Sequence, residues 1–278
     1  MATNYHLSKS DVEEGILDPL SLPASISNKI LNSLKNKVWV AEFNSVPTGA
    51  ELRGKDLAVI DIGGTVNLSG ISAADIKDLD AFIFTTNNDV NFSLNGNGTK
   101  SFKGVITTND GNDIITTNSI IGVTVSSGDG NDTVTTGSGK DSVSAGSGND
   151  SINTGAGNDT VLTGSGNDSV NTGDGNDSVV VGSGNDSVDT GAGNDTVKLA
   201  LGASGTYQFD GGAGIDNLDL SLANIATVSQ AGAVVTITLN DASVITATDF
   251  GRFIYDSNGI ATPDGVVIVA VAAFDAAF

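Results

Sequence analysis

Along residues 128–199 one apolar residue recurs every nine positions, at Val134, Val143, Ile152, Val161, Val170, Val179, Val188 and Val197, each preceded by Ser or Thr. A short β-former segment of this kind is a minimal strand whose centre points inward while its neighbours face water. Between the strands stands Gly-x-Gly-Asn-Asp, or Gly-Ser-Gly-Lys-Asp at 137–141, which is turn chemistry. Turn, strand, turn, strand closes one coil from two units, so the pattern predicts an all-β chain, a β-solenoid of 18 residues per coil. Eight such units follow one another without insertion over 128–199, and a fixed period of this kind is the mark of a repeat fold. Residues 109–117 (NDGNDIITT) and 212–220 (GAGIDNLDL) keep the same grammar, while 118–127 and 200–211 are degenerate.

Outside 109–220 the pattern changes. Residues 1–36 predict a short helical N-terminal segment, with Ser10 and Glu13 as a capping box and Ile26, Ile30, Leu31 and Leu34 as an apolar stripe. Short β-rich runs at 38–43, 57–62 and 81–85, separated by Gly, Asn and Asp, predict an irregular β-solenoid over 37–108. A hairpin pattern at 234–239 and 244–246, joined through Asn240 and Asp241, opens a C-terminal β cap over 221–278. The longest apolar run, 266–274, has nine residues, short of the ~20 that a membrane-spanning helix needs. The first ten residues lack a basic stretch followed by an apolar one, so no cleavable signal peptide is expected.

Charge adds the chemistry. The chain carries 12 basic and 33 acidic residues, a net charge of −21, which argues against nucleic acid as a partner. All four Glu lie at or before Glu51, and nine of the twelve basic residues lie at or before Lys103. Residues 128–199 hold 11 Asp against 2 Lys, a composition that repels itself unless cations hold it together. Cys is absent and His6 is the single His, which excludes disulfides, thiolate metal sites, His-based zinc catalysis and a Ser-His-Asp triad. No Gly-x-Ser-x-Gly occurs, and the chain reads as a protein that is not an enzyme.

Each unit supplies one carboxylate: Asp132, Asp141, Asp150, Asp159, Asp168, Asp177, Asp186 and Asp195. Residues one coil apart stack at about 4.8 Å. That sets Asp132, Asp150, Asp168 and Asp186 in one file and Asp141, Asp159, Asp177 and Asp195 in another. Neighbours in a file repel by about 1 kcal/mol in water and ~3.5 kcal/mol at an effective dielectric of about 20. A divalent cation between coils reverses that sign. The donors available are carboxylates and carbonyls in roomy turns, which suits Ca²⁺ and disfavours the small octahedron of Mg²⁺. An EF-hand is excluded, because its loop ends in Glu and none follows Glu51.

These units resemble the RTX (repeats-in-toxin) family, whose Gly- and Asp-rich nonapeptides form a parallel β-roll with Ca²⁺ in its turns. The resemblance implies that the eight Asp are ligands of several Ca²⁺ ions, with Asp113 and Asp216 matching the same position in the outlying units. It further implies that backbone carbonyls of the Gly-x-Gly turns complete the shells, at Gly128 and Gly130, Gly137 and Gly139, Gly146 and Gly148, Gly155 and Gly157, Gly164 and Gly166, Gly173 and Gly175, Gly182 and Gly184, and Gly191 and Gly193. Lys140 stands where the other seven units have Asn. Residues 249–256 resemble the cap that closes such rolls, and 266–278 resembles the uncleaved C-terminal signal read by a type I secretion apparatus. The expected protein is therefore a calcium-binding structural protein, secreted to the outside or surface of a bacterium without an N-terminal signal. It folds there on calcium and partners itself in a fibre or surface layer. The alternative is a calcium-stabilised adhesin or ice-binding module. Ice binding lacks its flat Thr array, since the positions beside the recurring Asn are Ser147, Ala156, Ser165, Asp174, Ser183 and Ala192.

Overall fold

The computed structural model describes residues 3–7, 30, 38–43, 45, 47–48, 52, 55–68, 70, 72–76, 78–95, 102–221, 223, 225–256 and 266–270. They divide between two compact units, Met1–Gly146 and Ser147–Phe278. Strands dominate both, and parallel pairing between successive coils makes the chain an all-β solenoid of the β-roll kind.

The first unit contains β1 (Thr3–Leu7), β2 (Val38–Phe43), β3 (Leu57–Ile60), β4 (Gly64–Asn67), β5 (Ala81–Phe84), β6 (Val90–Leu94), β7 (Val105–Thr107), β8 (Ile114–Thr117), β9 (Thr124–Asp129), β10 (Thr133–Thr135) and β11 (Ser142–Ser147). One sheet runs β1-β2-β3-β5-β7-β9-β11 and the other β10-β8-β6-β4. The chain therefore alternates between two sheets, and parallel partners such as Ala58 with Phe82, or Phe92 with Ile115, are residues of successive coils. Strands β3 and β5 are buried at every position, and Phe82, Phe84, Phe92 and Phe102 pack with ring centroids 5.1 to 5.5 Å apart. This aromatic core gives way to single aliphatic residues toward β8 and β10, where Ile115 and Val134 are fully buried.

The N-terminal expectation is corrected here. Thr3–Leu7 is a strand, antiparallel to β2 with Tyr5 opposite Val40, where the sequence pattern had predicted helix across 1–36. Thr and Tyr are β-formers, and the Val38-Trp-Val40 stretch offers them a ladder that local helix propensity does not outweigh. Of residues 8–36 only Ile30 is described, helical and fully buried; the capping box of Ser10 and Glu13 lies outside the described residues.

The second unit contains β12 (Ser151–Asn153), β13 (Thr160–Ser165), β14 (Ser169–Asn171), β15 (Ser178–Val181), β16 (Ser187–Asp189), β17 (Ala192–Gly193), β18 (Thr196–Leu199), β19 (Thr206–Asp210), β20 (Ala213–Gly214), β21 (Asn217–Leu220), β22 (Ile225–Ala231), β23 (Val234–Leu239), β24 (Val244–Thr248), β25 (Arg252–Asp256) and β26 (Val266–Ala270). Its sheets run β13-β15-β18-β21-β25-β26 and β12-β14-β16-β19-β24-β23-β22, with the short pair β17-β20 between turns. Ile152 pairs with Val170 and Val170 with Val188, while Val161 pairs with Val179 and Val179 with Val197. The eight apolar residues that set the nine-residue period each expose 3 % or less. Their partners one coil on are then Phe209 and Leu218, because the loop at 200–204 lengthens that coil.

The predicted hairpin forms as β23 and β24, and β24 returns to the roll beside β19. Strand β22, antiparallel to β23, was not visible in the pattern. Its seven residues carry no charge and six of them are exposed, so periodic burial left no trace in them. Residues 266–270 of the expected secretion segment form β26 against β25. Among the described residues no helix is long and apolar enough to cross a membrane.

Candidate metal centre

The ten Asp singled out by the repeat are buried, each exposing 3 % or less, and Lys140 is the one basic residue within the repeat turns. A charged carboxylate in that position needs compensation. Half of it comes from the backbone of the neighbouring coil. In the first unit the Val90 N–H donates to Asp113 Oδ1 (2.8 Å), and the Asp113 N–H to Asp132 Oδ1 (2.8 Å). In the second, Asp150 donates to Asp168 (3.0 Å) and Asp168 to Asp186 (2.9 Å). On the other side Asp159 donates to Asp177 (2.7 Å), Asp177 to Asp195 (2.7 Å) and Asp195 to Asp216 (2.8 Å). Within the second unit the predicted files are therefore real, each of these carboxylates capping the turn of the coil before it, and in the first unit Asp132 does the same for the outlying Asp113.

The other oxygen is where compensation stops. Oδ2 of Asp113, Asp168, Asp177, Asp186, Asp195 and Asp216 is buried and accepts no hydrogen bond. Hydroxyls lie beside several of them but are aimed elsewhere: Thr108 donates to the Ser127 carbonyl (2.7 Å), Thr172 to that of Thr190 (3.0 Å) and Thr190 to that of Gly211 (3.1 Å). Native proteins seldom leave a buried acceptor unsatisfied, and here the same oxygen of the turn Asp is left so in coil after coil. Asp141 departs from the series. Its Oδ1 accepts from the Val123 N–H (2.7 Å), while its Oδ2 accepts from the Thr136 hydroxyl (2.6 Å) and the Gly137 N–H (3.3 Å). The coil before it, 118–123, has no Asp turn, and Lys140 occupies its Asn position.

The glycine turns stack in register, through bridges of Ala156 with Asp174, Asp174 with Ala192 and Ser165 with Ser183. The first glycine's carbonyl is engaged between coils: Gly155 accepts from the Asp174 N–H (3.0 Å), Gly173 from Ala192 (2.8 Å) and Gly191 from Ala213 (2.7 Å). The second glycines meet at contact distance, so that a Cβ on Gly175 would lie 1.5 Å from the Gly157 carbonyl oxygen. On the outer side of the turns the Asn of each unit forms its own ladder. Asn149 Oδ1 accepts the Asn167 N–H and Asn167 Oδ1 that of Asn185, both at 2.8 Å; Asn158 and Asn176 do the same for Asn176 and Asn194. The recurrence of the Asn, weighed above for its turn chemistry and for an ice-binding array, is the sequence signal for this ladder; the Lys140 side chain has no acceptor and cannot join it.

Among the described residues no three His, Asp or Glu side chains converge on one point. The oxygen donors the turns offer are one carboxylate each and backbone carbonyls, a set suited to a hard cation. A family model of the RTX calcium-binding nonapeptide repeat (4 copies) matches residues 126–161 and again residues 162–197. These are RTX calcium-binding repeats. No curated protein matches the chain. The two RTX matches cover the turns of the eight Asp from Asp132 to Asp195, while Asp113 and Asp216 lie outside them.

Burial pushes the carboxyls of Asp113, Asp186 and Asp195 up to about 6, with further upward pressure from Asp132 and Asp89 on Asp113, from Asp168 on Asp186, and from Asp177 and Asp216 on Asp195. Burial likewise raises Asp132, Asp168, Asp177 and Asp216. A folded-state value above the ordinary 3.8 means that the metal-free fold is favoured below that value and loses this contribution as pH rises through about 6. The calcium-stripped chain is therefore expected to gain β-structure on acidification and lose it near neutrality, read by far-UV circular dichroism. In excess calcium the trend inverts, because protons compete with the ion. Order that rises with pH in the stripped chain would contradict this.

Proposed function

We propose that this is a secreted structural protein whose RTX roll folds on calcium outside the cell and then assembles with further copies of itself into a fibre or surface layer. The observation that carries the calcium half is the run of buried Oδ2 atoms without partners at Asp168, Asp177, Asp186, Asp195 and Asp216. Calcium held by these carboxylates and the Gly-x-Gly carbonyls supplies the missing positive charge. In its absence the files repel, and a core of one Val or Ile per nine residues is too thin to hold them. Such a chain stays unfolded where calcium is scarce, which suits passage through a type I secretion apparatus, with residues 266–278 as the segment that resembles its signal.

The assembly half is supported by β22. Among the described residues this edge strand, IATVSQA, has a neighbour on one side only; it carries no charge and no Pro, and exposes six of its seven residues. Edge strands are normally blunted by charge, and one left bare accepts another strand. With a net charge of −21 the copies repel at low salt, so calcium also serves as counterion. Sedimentation velocity and negative-stain electron microscopy at millimolar calcium test this: polymers that vanish on chelation are expected, and Thr227→Pro, which removes a β22 donor, is expected to shorten them. Monomers persisting in calcium would favour the adhesin.

A further inference from the structure

Asp216 ends the longer file of the second unit. It is fully buried, and its Oδ2 accepts no hydrogen bond. No Gly-x-Gly-Asn-Asp turn follows it to share an ion. The next coil brings β24 beside β19 with Thr248 in register with Asp210, and the chain then turns at Asp249, one of two non-glycine residues with positive φ (57°) among those described. The position after the register pair is Thr190 in one coil, Gly211 in the next and Asp249 in the last. A column that elsewhere carries a hydroxyl thus carries first nothing and then a carboxylate. Gly211 keeps the space open: a Cβ there would lie 2.7 Å from the Asp249 carbonyl oxygen and 2.9 Å from Asp216 Cβ. The Asp249 backbone and the Asp216 side chain therefore face each other across a residue with no side chain.

The electrostatics agree with that placement. After burial, the charges of Asp249 and Asp210 raise the Asp216 carboxyl, and Asp210 raises that of Asp249. Asp210 is held in place by the Gly212 N–H on its Oδ1 (3.1 Å). Asp210 and Asp249 thus lie within electrostatic reach of Asp216, which is buried with a bare oxygen at the end of the roll.

We propose that Asp216, Asp249 and Asp210, with the Asp249 carbonyl, form a terminal divalent-cation site outside the nonapeptide repeats, in which the C-terminal cap supplies the ligands that a further repeat would have brought. It rests on the calcium reading of the roll and extends it past the RTX matches, which end at residue 197. The all-oxygen donor set selects a hard cation of the calcium type. Asp210 and Asp249 are exposed, so the ion enters from solvent, and because no preformed cage of three carboxylates exists, water completes the shell.

Isothermal titration of the full chain with calcium chloride tests this, comparing wild type with Asp249→Asn; Asn tolerates positive φ, so the turn is preserved. The expected result is one ion fewer per chain, or one class of site weakened about tenfold or more, as loss of a charged ligand produces. Unchanged stoichiometry and affinity would overturn the site while leaving the roll's calcium intact. A wild-type chain that binds no calcium overturns the calcium reading itself, a distinct outcome. Should Asp249→Asn fail to give the wild-type circular dichroism spectrum in calcium, Asp210→Asn is read by the same criterion.

Discussion

Replacing Gly175 by Ala is expected to lower the melting temperature of the calcium-loaded chain by roughly 10 °C, read by circular dichroism, corresponding to a loss of about 3 kcal/mol. Two costs combine. Gly175 has φ 151°, a conformation closed to L side chains, and a Cβ there would stand 1.5 Å from the Gly157 carbonyl oxygen. That oxygen belongs to backbone and cannot swing aside. The coils must separate locally, which breaks the bonds from the Gly157 N–H to the Asp174 carbonyl and from the Gly175 N–H to that of Ala192, both 2.7 Å. Gly202 provides the contrast: it too has positive φ (76°), but nothing lies within 4 Å of its Cβ position, so Gly202→Ala is expected to cost only about 1 kcal/mol. Equal effects at the two sites would show that stacking of the turns is not what selects glycine.

Neutralising two neighbours in one file is expected to act with opposite signs in the two ionic conditions. Asp177→Asn with Asp195→Asn keeps the Oδ1 that caps the coil before, and replaces a buried bare carboxylate oxygen by an uncharged amide. Without calcium the variant escapes the burial that raises both wild-type carboxyls and the Asp177 charge that raises Asp195 further, and it gains on the order of a few kcal/mol against urea. With calcium it loses charged ligands and binds about a hundredfold more weakly. A wild type more stable than the variant in both conditions would mean that these carboxylates act only as turn caps.

How much of this was legible in the sequence follows from what a fixed period can and cannot encode. The inward residues from Val134 to Val197 were readable because nothing interrupts the nine-residue spacing, and the stacking of Asp168 on Asp186 followed from two units per coil. The strand Thr3–Leu7 was not, because its partner lies more than thirty residues away at Val38–Phe43 and local pattern favoured a helix. Asp141 keeps the Asp position of its siblings, with Lys140 in place of their Asn, yet its carboxylate is closed by Thr136 and Gly137, above a coil that is itself degenerate. Asp249 was hidden for the opposite reason. The hairpin of β22 and β23 displaces it 38 residues from Gly211, so the register that places it over Asp216 exists only once the strands are paired. Motif spacing reports contacts between like units; where an insertion or a degenerate coil intervenes, the contact survives in space and vanishes from the spacing.

The central claim is that divalent cations, rather than the aliphatic core, hold the RTX roll together. Hydrogen exchange of the wild-type chain at neutral pH, in millimolar calcium and again after chelation, addresses it most directly, because the amides of Asp159, Asp168, Asp177 and Asp195 each donate to the carboxylate of the next coil. Protection at these amides in calcium that is lost throughout residues 128–220 on chelation is the predicted result; protection that survives chelation would contradict it.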